Sequence, residues 1–372
     1  MWHPVPRTPT MRFLIGLLAV VTFAANVSAQ EQQGKKKKPK KDIPAQVDLV
    51  PHEAARIFTA EEPVRFTLTA NFGRLRHDKG QDSPWREATI TAADSAGDTV
   101  QVPLKTKTRG IWRLKNCDFP PLRLDFVKST VKHSLFAKLD KPKLVTHCKD
   151  NEEYEQYLLQ ELQLYRVYNL LTRYSHRVRL ARVTYADSGT GKVVATRYAF
   201  LEEEPAAVAH RVGGMLMSGQ GAGPSDLDPK QAALFFVFQY MIGNTDWSVA
   251  GQHNVELITS DSGAYVPIAY DFDFSGAVNT RYAVTDSRLP IHRVRDRLYR
   301  GYCLPADAYA PVFDLFRAKK DSIYALYHDQ IGSLLKGDTV KETLEYFDEF
   351  YRTIADKGDA KRQILERCLT GT

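Results

Sequence analysis

The segment Val266-Pro-Ile-Ala-Tyr-Asp-Phe-Asp-Phe-Ser-Gly276 places two carboxylates, Asp271 and Asp273, at the end of an otherwise apolar strand. Carboxylates in such a place must be paired, hydrogen-bonded or metal-bound, because an unpaired buried charge costs several kcal/mol. A second segment, Tyr240-Met-Ile-Gly-Asn-Thr-Asp-Trp-Ser-Val-Ala-Gly-Gln-His-Asn-Val-Glu-Leu-Ile258, leaves an apolar helix, crosses a loop carrying Asp246 and Asn254, and enters a strand. This set of residues suits phosphoryl transfer. An Asp on a loop orients or deprotonates a hydroxyl nucleophile, an Asn beyond it holds a metal, and an Asp after a strand holds Mg²⁺ against nucleotide phosphates. Ligands that are all oxygen favour Mg²⁺ or Mn²⁺ over zinc. The competing reading is that Asp271 and Asp273 cap or salt-bridge within a core.

Other polar features weigh less. Gly219-Gln-Gly-Ala-Gly223 follows no clear strand and lacks a Gly-Lys-Ser/Thr ending, so it reads as a flexible loop and not a phosphate loop. His147, His176, His210, His253 and His292 are scattered and read as structural; His253 stands apart because it adjoins Asn254. Arg293, Arg295, Arg297 and Arg300 read as a solvated face.

Two kinds of element must position these residues. The first half is strand-rich. Val64–Ala70, Glu87–Ala92 and Val100–Thr106 alternate with period two, and 122–127 and 143–147 are shorter strands. A long helix is expected from Glu152 to Tyr174 with Asn151 as its N-cap, followed by a hairpin of 178–185 and 192–201. The second half is helix-rich. Asp228-Pro229 opens a helix to about Ile242 that is apolar nearly all round and therefore buried. Short strands at 255–258 and 264–268 and helices near 306–328 and 338–357 complete the chain. The expected organisation is a signal peptide (1–29), a basic linker (30–45), a β-rich lobe with one long helix (46–202) and an α-rich lobe (203–372).

Composition narrows the function further. The 372 residues are 43% hydrophobic and 26% charged, which excludes a wholly disordered or fibrous chain. The net charge of +7 comes almost entirely from the first 42 residues, leaving the chain from Ile43 at about +1. A nucleic-acid-binding surface is therefore not expected. Phe13–Ala25 is an apolar run of 13 residues after Arg12, too short to span a bilayer, and Val27-Ser-Ala29 offers a cleavage site. These features predict a secreted or periplasmic protein cut near Ala29, with no transmembrane segment in the mature chain. Lys35–Lys41 is a spacer or a surface tether. Four cysteines in an exported chain predict two disulfides, and Cys117–Cys148 with Cys303–Cys368 keeps each bridge within one half of the chain.

Several blocks of this sequence, in order, resemble the spore coat protein H (CotH) kinase-like family. They are Thr108-Arg-Gly110 with Pro121-Leu-Arg-Leu-Asp-Phe126, then Lys143–Asp150 before the long helix, and Tyr198-Ala-Phe-Leu-Glu202. Gly243-Asn-Thr-Asp246 with Asn254, and Tyr270-Asp-Phe-Asp273, are similar to the family's core motifs. The resemblance spans roughly residues 64 to 280. It implies an α+β, two-lobed protein-kinase-like fold and ATP-dependent phosphotransfer with Mg²⁺ (or Mn²⁺) to a Ser/Thr or other hydroxyl on a protein or glycan. It also assigns roles. Asp246 would be the catalytic Asp; Asn254, Asp271 and Asp273 would hold metal. Arg109, Arg123 and Lys143 would meet the nucleotide phosphates, and Glu202 would lie near the adenine or ribose. Glu155 or Glu161 would pair with a phosphate-binding cation.

Two other functions compete. Asp246 and Asn254 stand further apart than in the H-R-D-x-x-x-x-N loop of protein kinases, which favours a catalytically inactive cell-surface or cell-wall binding protein on such a scaffold. Asp271-Phe-Asp273 could instead serve a metal-dependent glycosyltransferase or hydrolase.

Overall fold

The computed structural model describes residues 53–370 apart from 81, 94–96 and 133. The expected signal peptide, basic linker and Lys35–Lys41 tether lie outside the described residues.

The alternating segments of the first half form seven strands: β1 (Val64–Ala70), β2 (Arg86–Ala93), β3 (Thr99–Thr108), β4 (Leu122–Phe126), β5 (Lys143–Val145), β6 (Val178–Asp187) and β7 (Val193–Glu202). They close into a barrel in the order β1-β2-β3-β4-β5-β7-β6. Neighbours are antiparallel except β1 and β6, which run parallel from Val64 opposite Ala181 to Ala70 opposite Asp187. The period-two apolar residues, among them Leu68, Ile90, Val102, Leu124, Val183 and Leu201, bury together as the barrel core.

This closure overturns the expected two-lobed protein-kinase-like fold. The chain is an α+β protein, but its β-rich part is a closed seven-stranded barrel, and all described residues belong to one compact unit. Local alternation dictates strands; it carries no information on whether β6, hydrogen-bonded to β7 on one side, takes β1 on the other. That pairing joins segments far apart in sequence and removes the open edges a free sheet would expose.

Helices α1 (Phe72–Leu75) and α2 (Trp112–Asn116) sit on barrel connections, and α3 (Glu152–Leu171) packs between the barrel and the later helices. Asn151 caps α3 through the Tyr154 N–H at 3.1 Å. The chain continues through α4 (Pro205–Val212), β8 (Leu216–Met217), α5 (Pro229–Ile242), β9 (Val255–Thr259), β10 (Tyr265–Ala269), α6 (Tyr309–Ala325), α7 (Gly337–Ala355) and α8 (Lys357–Gln363). Strands β8, β9 and β10 form a separate three-stranded sheet. Helix α5 is buried from Ala232 to Ile242, as its all-round apolar surface requires. It ends at Gly243 in the left-handed conformation (φ 63°), where the Tyr346 hydroxyl occupies the space a Cβ would need.

Both expected disulfides are present, Cys117–Cys148 and Cys303–Cys368. They fit an oxidising, extracytoplasmic environment. Among the described residues no helix is long and apolar enough to cross a membrane.

Candidate active site

The β9–β10 hairpin assembles the two segments that sequence singled out. Val255 pairs with Ala269, and one step beyond, the Tyr270 N–H donates to the Asn254 carbonyl at 3.3 Å. Asn254 and Asp271 therefore flank the same hairpin end. Both have left-handed backbones, with φ of 52° and 63°, a region that Asn and Asp enter more readily than other side chains with a Cβ. Strain of this kind concentrates at functional sites.

Asn254 reaches back to Asp246. Its Nδ2 donates to the Asp246 carbonyl at 2.8 Å and to Oδ2 at 3.1 Å. This orientation leaves Asn254 Oδ1 as the acceptor face of the amide. His253 Nε2 lies 2.8 Å from Asp246 Oδ1, and the Asp246 N–H donates to Asn244 Oδ1 at 3.0 Å. The long spacing between Asp246 and Asn254 is thus absorbed by a turn that brings the two side chains into contact.

Asp271 leads into a buried charge cluster. One oxygen each of Glu161, Asp271 and Asp273 lies within 4.8 Å of the others. The Arg113 guanidinium stands among them. Its Nη2 is 2.9 Å from Glu161, 2.8 Å from Asp273 and 3.9 Å from Asp271. The Tyr282 hydroxyl donates to Asp273 at 3.0 Å. Glu161 and Asp273 are buried, whereas the Asp271 side chain is 39% exposed. Burial pushes Glu161 and Asp273 upward against the pull of Arg113. Burial opposes the charge on Arg113 too, yet the surrounding carboxylates hold it well above its ordinary value.

A hydroxyl joins this cluster to a second ion pair. The Asp271 N–H donates to the Tyr165 hydroxyl at 2.9 Å, and that hydroxyl donates to Glu202 at 3.4 Å. Glu202 is salt-bridged to Lys143, whose Nζ lies 4.2 Å from the Tyr270 ring centroid. Burial would raise Glu202, but Lys143, His176 and Arg109 outweigh it and bring it below its ordinary value. Burial lowers His176, whose Nδ1 lies 2.7 Å from the Glu203 carbonyl. Burial raises half-buried Glu256, while Lys143 and Arg123 pull the other way. Arg109 and Arg123 form no ion pair among the described residues, and Arg123 Nε is buried with no hydrogen-bond partner there.

Six of the eight sequence-named residues thus gather near the end of the β9–β10 hairpin or in the ion-pair network beside it: Asp246, Asn254, Asp271, Asp273, Lys143 and Glu202. Arg109 and Arg123 act on this group only through charge, Arg109 on Glu202 and Arg123 on Glu256. Of the two glutamates proposed on the long helix, Glu161 joins the site, while Glu155 is spent on Arg182 and the Tyr198 N–H. Sequence reading missed Arg113, Tyr165, Tyr282 and Glu256. Arg113 follows Arg109-Gly110 closely and precedes Cys117, but no spacing rule marks it as the partner of residues on α3 and after β10. Two cavities elsewhere, of about 180 and 390 Å³, contain none of these residues.

An oxygen-only donor set fits a hard divalent cation. Asp271, half exposed and only loosely held by Arg113, and Asn254 Oδ1 are the groups open to one. Glu161 already receives Arg113 through Oε2, and Asp273 receives Arg113 and Tyr282 through Oδ2.

Fold and site together define an α+β barrel protein with an acid-rich centre threaded by a buried arginine. No protein-family model matches this chain, and no curated protein matches it.

Proposed function

We propose that this chain is an exported phosphotransferase that moves the γ-phosphoryl of ATP to a hydroxyl of a protein or glycan. The observation that carries this reading is the hairpin contact that sets Asn254, hydrogen-bonded to Asp246, against Tyr270 and the following Asp271, beside a Lys143–Glu202 pair and two cations, Arg109 and Arg123, without ion-pair partners among the described residues. Asp271 and Asn254 would hold Mg²⁺ or Mn²⁺, which neutralises phosphate charge when bound. Asp246 orients the acceptor hydroxyl and takes its proton, with His253 fixing the carboxylate. Arg109 and Arg123 attract the phosphates, and Glu202 holds Lys143 in place. The order of motifs shared with the CotH-like family supports the same chemistry. Export rests on the signal-like residues 1–29, with cleavage near Ala29 and Lys35–Lys41 as a surface tether.

A thermal-shift titration of the mature chain with ATP and MgCl₂ tests this. Ligand at a hundredfold excess over Kd stabilises by about 2.7 kcal/mol. The expected result is a Mg²⁺-dependent rise in wild type that Asp271→Ala lacks, followed by radiolabel transfer from γ-labelled ATP. A folded wild type that shows no shift would favour a binding protein without turnover. One observation supports that second reading: Arg113 already neutralises part of the carboxylate cluster. Against the paired-carboxylate glycosyltransferase or hydrolase reading, Asp273 Oδ2 already receives both Arg113 and Tyr282.

A further inference from the structure

We propose that the cavity beside α3, at the start of β6, binds a free α-amino acid with an apolar side chain, held as the zwitterion with its carboxylate on Arg177 and its ammonium on Glu61. This site is separate from the candidate active site, and it stands whether or not the chain transfers phosphoryl groups.

Four parts of the chain meet around this space of about 180 Å³. The segment after the turn at Arg56–Phe58 brings Glu61, and α3 brings Leu162, Arg166 and Leu170. Val178 opens β6 directly after Arg177, and Ile331 follows α6.

Opposite charges line the cavity without touching. The half-buried Arg177 guanidinium forms no ion pair or side-chain hydrogen bond among the described residues, and Glu61 acts on it only through charge. Burial and the neighbouring Arg211 lower Arg177, while Glu203 and Glu61 pull the other way. A cation in that state gains from a carboxylate placed directly against it. Glu61 offers the complementary end. Arg166 bonds its Oε2, and its Oε1 accepts no hydrogen bond among the described residues. Its side chain is 73% exposed, so that end of the cavity meets solvent.

Charge and size set the class of ligand. Arg166 and Arg177 are balanced by Glu61 and by Asp329, which receives Arg166 at 2.6 Å. A neutral ligand with separated charges keeps that balance, whereas a plain carboxylate or a plain amine leaves one charge over. The walls formed by Phe58, Leu162, Leu170, Val178 and Ile331 offer only hydrocarbon. An engineered apolar cavity of about 150 Å³ admits benzene. The space here therefore suits a side chain the size of leucine's or phenylalanine's. An α-amino acid sets a carboxylate, an ammonium and such a side chain on one carbon, which is the pattern of Arg177, Glu61 and the apolar walls.

The test is isothermal titration calorimetry of the mature chain with leucine, phenylalanine, glutamate, leucinol and isocaproate. Leucine or phenylalanine should bind. Leucinol, which lacks the carboxylate, and isocaproate, which lacks the ammonium, should each bind at least about tenfold more weakly, the effect of losing a hydrogen bond between charged groups. Arg177→Gln and Glu61→Gln should weaken the amino acid by a similar factor. Binding of neither leucine nor phenylalanine to the folded wild type would overturn the proposal. Leucinol or isocaproate held as tightly as leucine would overturn the zwitterion, and glutamate held as tightly would overturn the apolar walls. Unchanged affinity in a folded Arg177→Gln or Glu61→Gln protein would also overturn it. If Arg177→Gln does not fold, the largely exposed Glu61 and the leucine analogues still decide.

Discussion

Tyr165 is the residue through which the two charged groups communicate. Its hydroxyl accepts the Asp271 N–H and donates to Glu202, so one oxygen holds a left-handed backbone on one side and the Lys143 partner on the other. Tyr165→Phe should lower stability by about 1–3 kcal/mol, the usual result of stranding a donor in a partly buried site. A melting temperature equal to wild type would remove Tyr165 from this role. His147 makes a separate prediction. It is fully buried, stacks on Phe119 at 4.5 Å, and neither ring nitrogen has a hydrogen-bond partner among the described residues. Burial lowers its pKa to about 4, whereas the unfolded residue titrates near 6.5. Between those values the unfolded chain binds the extra proton, so this residue's contribution to stability is intact above about pH 6.5 and falls as pH drops toward 4. Glu161 and Asp273, raised by burial, act in the opposite sense as pH falls. The His147 effect is therefore read as a difference: His147→Leu should lose stability less steeply than wild type between pH 6.5 and 4 in urea titrations. Parallel curves would show that His147 does not titrate as stated.

At the scale of elements, α2 is the weak link that the site depends on. A five-residue helix cannot hold itself in water, because nucleation costs more than so few hydrogen bonds return. Its position comes from the Cys117–Cys148 bridge and from the ion pairs of Arg113. Replacing both cysteines by serine should cost about 2–5 kcal/mol of stability. It should also weaken Mn²⁺ binding more than removal of the Cys303–Cys368 bridge does, since that bridge joins two C-terminal segments that carry none of the named site residues. Equal losses from the two bridges would contradict this placement. Helix α3 makes a milder prediction. Its first turn carries Glu152, Glu153 and Glu155 beneath the Asn151 cap, so Asn151→Ala should cost about 0.5–2 kcal/mol in a denaturant titration.

For the whole molecule, the closed barrel and the helices that bury α3 belong to one unit. Leu68 is fully buried in the barrel core, and Leu68→Ala should cost about 2–5 kcal/mol. Because the barrel shares α3 with the helical layer, calorimetry should show one transition moving down in temperature as a whole. A barrel transition that shifts while a helical one stays fixed would indicate two independent lobes.

Sequence alone determined the strands, the principal helices, the caps at Asn151 and Asp228, and the residue types of the site. Alternation, helical spacing and capping chemistry are local, and the described elements follow them closely. It also singled out Asp246, Asn254 and Asp271 as one chemical group, because a loop Asp, an Asn beyond it and an Asp after a strand suit phosphoryl transfer. Tertiary structure alone decided the barrel closure, since the parallel β1–β6 pairing joins segments with no local signal for one another. It likewise decided the position of Arg113. The guanidinium reaches Glu161 on α3 and Asp273 after β10 only once barrel, helix and hairpin have packed together, and no spacing along the chain records that meeting.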